Sequence, residues 1–108
     1  MSEKSFATSL SCMDGRVQLP MINLIKEKYS VDFVDTITAP GIDKVIFNGD
    51  IESIKKSVII SVSNHKSSHI VISGHFGCAG NPVSDEEHFT HIKKSVEIVT
   101  SWNLGVDV

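Results

Sequence analysis

The order of segments along the chain constrains its fold more than any other feature, because runs typical of strands alternate with runs typical of helices. Short runs rich in β-branched and aromatic residues predict strands, and apolar residues at helical spacing predict helices. The predicted strands span residues 6–11, 31–37, 69–73 and 104–108, and the predicted helices lie at about 20–29, 51–65 and 84–102. Strands separated by helices indicate βαβ units with right-handed crossovers. We therefore expect an α/β fold, with an open, mostly parallel sheet of about four strands in the order 2-1-3-4 and helices on both faces.

Turn and cap signals refine the last part of this assignment. The turn signal "APG" at 39–41 opens a stretch to residue 50 that is predicted to be a loop. Ser84, with Glu87 three residues later, fits a capping box and marks the start of the last helix. His88 and His91 lie three residues apart on that helix with no third ligand evident, and we expect them on a solvated face. The face expected to contact the core is an apolar stripe made of Phe89, Ile92, Val96, Val99 and Trp102.

Composition and charge narrow the classes of function. With 41% hydrophobic and 21% charged residues, the 108 residues are typical of one globular domain, here 1–108. A net charge of −3 argues against binding to nucleic acid. No run approaches the roughly 20 apolar residues of a membrane span, and no signal-peptide core is present, so we expect a cytoplasmic protein without membrane contact. In a reducing compartment Cys12 and Cys78 are poor candidates for a disulfide, which favours a metal-binding or catalytic role.

The predicted topology brings two polar motifs to the same edge of the sheet. "CMDGR" at 12–16 follows the first strand, and "HFGC" at 75–78 follows the third. In open parallel sheets, ligands bind at the carboxyl ends of strands where the winding direction reverses, which here lies between strands one and three. Cys12, His75 and Cys78 should therefore meet in one crevice.

Two thiols and one imidazole suit zinc, which in catalytic sites takes three protein ligands and leaves a fourth position for water or substrate. Gly77 gives His75 and Cys78 room to converge. Two alternatives remain open on these residues alone: Cys78 as a nucleophile with His75 as its base, and both cysteines as small buried hydrophobic residues. A cysteine phosphatase loop of the C-x5-R type does not fit, because only three residues separate Cys12 from Arg16.

Asp14 and Arg16 lie two and four residues beyond Cys12 and can pair as carboxylate and guanidinium beside the proposed metal. An aspartate so close to zinc could also occupy its fourth position, whereas an arginine partner would hold it away. The alternative interpretation is an ordinary surface ion pair in a loop, which would stabilise the fold by at most ~1 kcal/mol.

These residues give the chain a resemblance to the β-class carbonic anhydrases, whose signature is C-x-D-x-R followed much later by H-x-x-C. The resemblance covers residues 6–80 well and the remainder loosely. It implies that Cys12, His75 and Cys78 bind Zn²⁺, and that Asp14 and Arg16 form the dyad that controls its fourth position. It also implies reversible hydration of carbon dioxide to bicarbonate by zinc-bound hydroxide, and a homodimer or dimer-built oligomer.

The sequence departs from the family pattern in several places. Gly15 stands where the family commonly has serine, and "TAPG" at 38–41 stands where an Arg-Asn-Ala-Gly-type segment is usual. Only about five residues precede the first strand, where the family usually has a helical arm, and the chain stops at Val108, where the family continues. Two further functions therefore stay open: zinc-dependent hydrolysis of a small electrophile such as carbon disulfide or carbonyl sulfide, and a non-catalytic zinc-binding or regulatory module.

Overall fold

The computed structural model describes residues 4–108, in which strands and helices alternate. The strands are β1 (Phe6–Cys12), β2 (Phe33–Ala39) and β3 (Ile70–Ile72), and the helices are α1 (Gly15–Tyr29), α2 (Ile42–Phe47), α3 (Glu52–Asn64) and α4 (Asp85–Thr100). Over this range, no helix has both the length and the apolar character needed to cross a membrane.

The sheet is parallel, with β1 in the centre and the strand order β2-β1-β3. The predicted α/β fold with a parallel sheet is confirmed, as is the order of its first three strands. The prediction of a fourth strand is wrong: within residues 4–108, the segment 104–108 forms only an isolated bridge between Asp107 and His69. Asn103 and Gly105 have φ values of 54° and 77°, and these left-handed conformations interrupt the extended path that a strand requires.

Helices cover both faces of the sheet, because alternate side chains of β1 point in opposite directions. Ala7 packs against Ile25 of α1 and Val31 on one face. Leu10 lies on the other face, in a larger cluster with residues of α2, α3 and α4. The buried members of that cluster are Leu10, Ile42, Ile46, Ile54, Val58, Ile70 and Val99.

The short helix α2 occupies half of the stretch 39–50, and the prediction of a loop throughout that stretch is therefore wrong. Ile42 and Ile46 are four residues apart and fully buried, so one face of α2 packs into the core. Six residues are too few for helical periodicity to stand out from a loop in the sequence. Gly41 precedes α2 with a φ of 59°, a conformation that favours glycine.

The start of α4 agrees with the sequence: the Ser84 hydroxyl accepts a hydrogen bond from the backbone N–H of Glu87 at 3.2 Å. Its inward face agrees with the sequence only in part. Val99 and Trp102 of the predicted apolar stripe belong to or pack against the larger core cluster, whereas Phe89 is 68% exposed. The buried residues of α4 are His88, His91, Ser95 and Val99.

The prediction that His88 and His91 face solvent is therefore wrong, since their residues are only 4% and 9% exposed. Polar groups are buried when they find hydrogen-bond partners. Here the partners are Asp43 of α2 for His88 and Asn81 for His91. The sequence of α4 alone does not contain these partners, and for this reason His88 and His91 were predicted to face solvent.

Candidate metal centre

The two sequence motifs meet at the carboxyl ends of β1 and β3, as the topology predicts. Cys12 is the last residue of β1, and the segment that carries His75 and Cys78 begins just after β3. The Sγ atoms of Cys12 and Cys78 lie 3.7 Å apart. One ligand atom from each of these three residues lies within 4.8 Å of the other two.

The spacing of the sulfur atoms fits a bound metal ion and not a disulfide. Two thiolates bound tetrahedrally at about 2.3 Å from zinc lie about 3.8 Å apart, close to the observed 3.7 Å. A disulfide would bring the sulfur atoms to about 2.05 Å. Both cysteines are free and buried, and their sulfur atoms are in direct contact with each other.

The ring of His75 is oriented so that one nitrogen remains available. Its Nδ1 lies 3.0 Å from the carbonyl oxygen of Phe76, to which it can only donate a hydrogen. Nε2 then carries the lone pair, and this atom is buried without a hydrogen-bond partner. A buried ring nitrogen with a free lone pair is the donor that zinc requires, and a backbone carbonyl on the other nitrogen is its usual support.

Hydrogen bonds prepare Cys12 to act as a thiolate. Burial raises the pKa of Cys12, but this effect is outweighed, chiefly by hydrogen bonds from the backbone N–H groups of Gly41 and Asp14, which bring the pKa down to about 7. The pKa of Cys78 is raised, first by burial and then by its hydrogen bond with Cys12. In the metal-free protein one thiolate therefore forms readily, and the second requires a cation or a higher pH.

Asp14 and Arg16 form a close ion pair beside this cluster. The Arg16 side chain donates from Nε to Asp14 Oδ1 at 3.0 Å and from its terminal NH2 to Oδ2 at 2.5 Å. Asp14 is also the N-cap of α1, because its Oδ1 accepts from the backbone N–H of Arg16 at 2.8 Å. These contacts with Arg16 hold the pKa of Asp14 well below its usual range and raise that of Arg16. Among the described residues, the Asp14 carboxylate is not part of the three-residue cluster.

A cavity of about 160 Å³ is lined by Arg16 on one side and by His75 and the residues before it on the other. Its wall combines the polar Arg16 and Ser73 with apolar side chains from α1, namely Val17, Pro20 and Met21. Pockets for drug-sized ligands measure about 300–1,000 Å³. This cavity therefore suits a substrate of only a few atoms.

Comparison with known proteins adds an independent observation. The model of a family described as "putative carbonic anhydrase" matches residues 2–108. The chain belongs to this family. No curated protein and no solved structure matches it. The family match includes the segment from 81 to 108, where the resemblance read from the motifs was loose.

Two residues of this carbonic anhydrase family member support the first motif and were missed in the sequence. The Gln18 side chain, one turn into α1, donates to the carbonyl oxygens of Cys12 at 2.7 Å and of Asp14 at 3.2 Å. The backbone N–H of Gly41 lies 3.5 Å from Cys12 Sγ. The only sequence signal for Gly41 was the "APG" turn. Nothing in the sequence distinguishes Gln18 from any other glutamine in a helix.

Proposed function

We propose that this carbonic anhydrase family member is a zinc enzyme that interconverts carbon dioxide and bicarbonate, with Cys12, His75 and Cys78 as the zinc ligands. The observation that carries the proposal is the convergence of the three donor atoms within 4.8 Å, with the sulfurs 3.7 Å apart. Two thiolates and one imidazole are a donor set that Zn²⁺ takes in catalytic sites, with the fourth position left for water or substrate.

When bound, zinc lowers the pKa of water at its fourth position to about 7, a value known from carbonic anhydrase itself, and so supplies a nucleophile at neutral pH. The protein supplies the surroundings. Arg16 holds Asp14 by three side-chain hydrogen bonds, so the carboxylate is engaged and is kept from becoming a metal ligand. Because its pKa lies well below neutral, Asp14 stays ionised. We assign it the role of accepting a hydrogen bond from a hydroxyl in the site and thereby orienting it.

The cavity beside His75 has the properties that carbon dioxide requires. Carbon dioxide is small and without net charge, and Val17 and Met21 offer it apolar surface. Bicarbonate carries a negative charge, and the Arg16 guanidinium lies on the same wall. The same cavity therefore offers apolar surface to carbon dioxide and a cationic group to bicarbonate.

The proposal is tested by zinc analysis of gently purified protein together with stopped-flow measurement of carbon dioxide hydration. We expect one zinc ion per chain and a hydration rate above the buffer blank. Stoichiometric zinc without hydration would contradict the proposed activity, and the absence of bound metal would contradict the proposed zinc site. Turnover of carbon disulfide or carbonyl sulfide in the same preparation would assign the zinc centre to hydrolysis of another small electrophile.

We also propose that the functional form is a homodimer in the cytosol. Two aromatic residues beside the centre, Phe76 and Phe89, are 88% and 68% exposed and line one cavity of about 240 Å³. Exposed aromatic residues grouped in this way are typical of a surface that binds another chain. Sedimentation velocity of the wild type and of Phe76→Ser tests this; a monomeric wild type would contradict it.

A further inference from the structure

A buried carboxylate, Asp43 of α2, joins the segment that carries two of the proposed ligands to the rest of the protein. Asp43 is only 1% exposed, and aspartate is almost never buried so fully unless it is paired. Its Oδ2 lies 2.6 Å from Nδ1 of His88, and its Oδ1 accepts from Nδ2 of Asn81 at 3.1 Å. Its backbone carbonyl accepts from the Ser95 hydroxyl at 3.0 Å. One residue thus connects α2, α4 and the segment after β3.

Asn81 fixes the end of that segment in one orientation. It is fully buried and lies three residues after Cys78. Its amide nitrogen contacts both the Asp43 carboxylate and Nδ1 of His91, the latter at 3.0 Å. A carboxylate only accepts hydrogen bonds, so the NH2 group and not the amide oxygen must face it. The direction of the Asn81 side chain is therefore determined by Asp43.

Gly74 places the start of the same segment against the same pair. A Cβ atom at Gly74 would lie 2.7 Å from Oδ2 of Asp43 and 3.1 Å from Nδ1 of His88. The backbone therefore passes the Asp43–His88 pair at a distance that only glycine allows. The segment 74–81, which includes His75 and Cys78, is therefore held at both ends by the buried pair Asp43–His88: Gly74 packs against the pair, and Asn81 donates to Asp43.

The turn before α2 links this arrangement to Cys12. Gly41 packs directly on Gly80, since a Cβ atom at Gly41 would lie 2.7 Å from the carbonyl carbon of Gly80. The backbone N–H of the same Gly41 lies 3.5 Å from Cys12 Sγ. The start of α2 is thus in contact with both cysteine-bearing segments, and Asp43 lies on its first turn.

We propose that Asp43 is a positioning residue: through His88 and Asn81 it holds the segment 74–81 so that His75 Nε2 and Cys78 Sγ face Cys12 Sγ. This inference rests on the proposed function in one respect, that the three atoms bind a metal ion. Metal centres depend on ligand placement within about 0.2 Å. Loss of a group that hydrogen-bonds a metal ligand typically weakens metal affinity by about 10- to 100-fold, and we expect a loss of this order when the whole segment that carries two ligands is released.

The test compares Asp43→Asn with Asp35→Asn. Asp35 is a suitable control because its carboxylate makes a similar contact, with Nδ1 of His65 at 2.7 Å, but joins β2 to α3 instead. The probe is Co²⁺, titrated in competition with a chelator while its visible absorption spectrum is recorded. We expect Asp43→Asn to lower Co²⁺ affinity by about 10- to 100-fold and to alter the spectrum, and we expect Asp35→Asn to leave both unchanged even where it lowers stability to urea. Unchanged affinity and spectrum in Asp43→Asn, or equal losses in both variants, would overturn the proposal.

Two further measurements keep the result decisive. If Asp43→Asn does not fold, Asn81→Ser removes the link to the segment but leaves the contact between Asp43 and His88; the same loss of Co²⁺ affinity is expected, and its absence contradicts the proposal. If the wild type binds no metal, the proposed function fails, and the positioning role is tested in the metal-free protein. The rate of alkylation of Cys78 by iodoacetamide should then rise in Asp43→Asn and not in Asp35→Asn. Equal rates in the wild type and Asp43→Asn would contradict it.

Discussion

Cys12 Sγ and Cys78 Sγ lie 3.7 Å apart although 66 positions separate them in the chain. The distance arises from the sheet: Cys12 ends β1, and β3 pairs with β1 in parallel and delivers the second motif to the same edge. Because two thiolates on one tetrahedral zinc ion lie about 3.8 Å apart, metal binding requires little movement of either sulfur.

Substitution of Cys78 by serine should abolish stoichiometric zinc binding. The loss in affinity should exceed the about 10- to 100-fold that removal of an outer-shell partner costs, because a ligand itself is removed. Zinc content after dialysis against a weak chelator is the measurement, with Met13→Leu as control, since Met13 is 59% exposed and adjacent to Cys12. Full occupancy in Cys78→Ser would show that the cluster is not the metal site.

The metal-free protein should contain one thiolate near neutral pH. The pKa of Cys12 is about 7, against an ordinary value near 9, and the pKa of Cys78 is raised. Ultraviolet thiolate absorbance should therefore show a step near pH 7 that disappears in Cys12→Ser and persists in Cys78→Ser, with its midpoint moved. A wild type without a step below pH 8 would contradict this.

The same shift in the pKa of Cys12 makes folding dependent on pH. A thiol whose pKa is lower in the folded than in the unfolded chain stabilises the fold fully above pH 9, and this contribution is lost as the pH falls to 7. The difference in the free energy of unfolding between metal-free wild type and Cys12→Ser should therefore grow from pH 7 to pH 9. Urea unfolding at both pH values measures it, and a difference that shrinks with rising pH would contradict the sign.

The sequence predicted that Cys12, His75 and Cys78 would lie together because this depends on few features: two strand ends at one edge of a parallel sheet and three side chains that follow them. The wrong predictions concern residues whose environment comes from distant segments. His88 and His91 looked solvated because nothing near them in α4 indicates that Asp43 and Asn81 would bond them. Polar residues at buried positions cannot be identified from periodicity when their partners lie elsewhere in the chain.

Short elements and local backbone conformation are the second reason why parts of the fold could not be predicted from the sequence. α2 has six residues, and the segment 104–108 has strand-like composition but lies after the left-handed residue Asn103. Neither feature gives a pattern long enough to be distinguished by sequence. The group that we propose to position the ligands, Asp43, lies in α2, so the missed helix and the missed positioning residue have the same cause.

Removal of the Arg16 side chain should abolish the proposed hydration activity without loss of the proposed zinc ion. Arg16→Ala removes the side-chain hydrogen bonds that lower the pKa of Asp14 and hold its carboxylate, and leaves only the hydrogen bond from the backbone N–H of residue 16. The carboxylate then becomes available as a fourth zinc ligand. We expect a loss of hydration activity of at least about tenfold with zinc content retained, and a Co²⁺ spectrum altered by an added oxygen ligand. Lys26→Ala, an exposed charge removed from the same helix, is the control; equal activity in both variants would contradict the role of Arg16.

Two glycine substitutions should have opposite effects on stability, because one glycine is closely packed and the other is not. At Gly74 a Cβ atom would lie 2.7 Å from the buried Asp43 carboxylate, so Gly74→Ala should lower the free energy of unfolding by about 1–3 kcal/mol and weaken zinc binding. At Gly15, the first residue of α1, no atom beyond the adjacent residues and the backbone of the helix itself lies within 4 Å of the added Cβ, and alanine restricts the unfolded chain and favours the helix. Gly15→Ala should therefore raise the free energy of unfolding by about 0.5–1 kcal/mol. Urea unfolding of both variants measures the two effects, and a Gly74→Ala protein as stable as the wild type would show that the segment 74–81 can move away from Asp43.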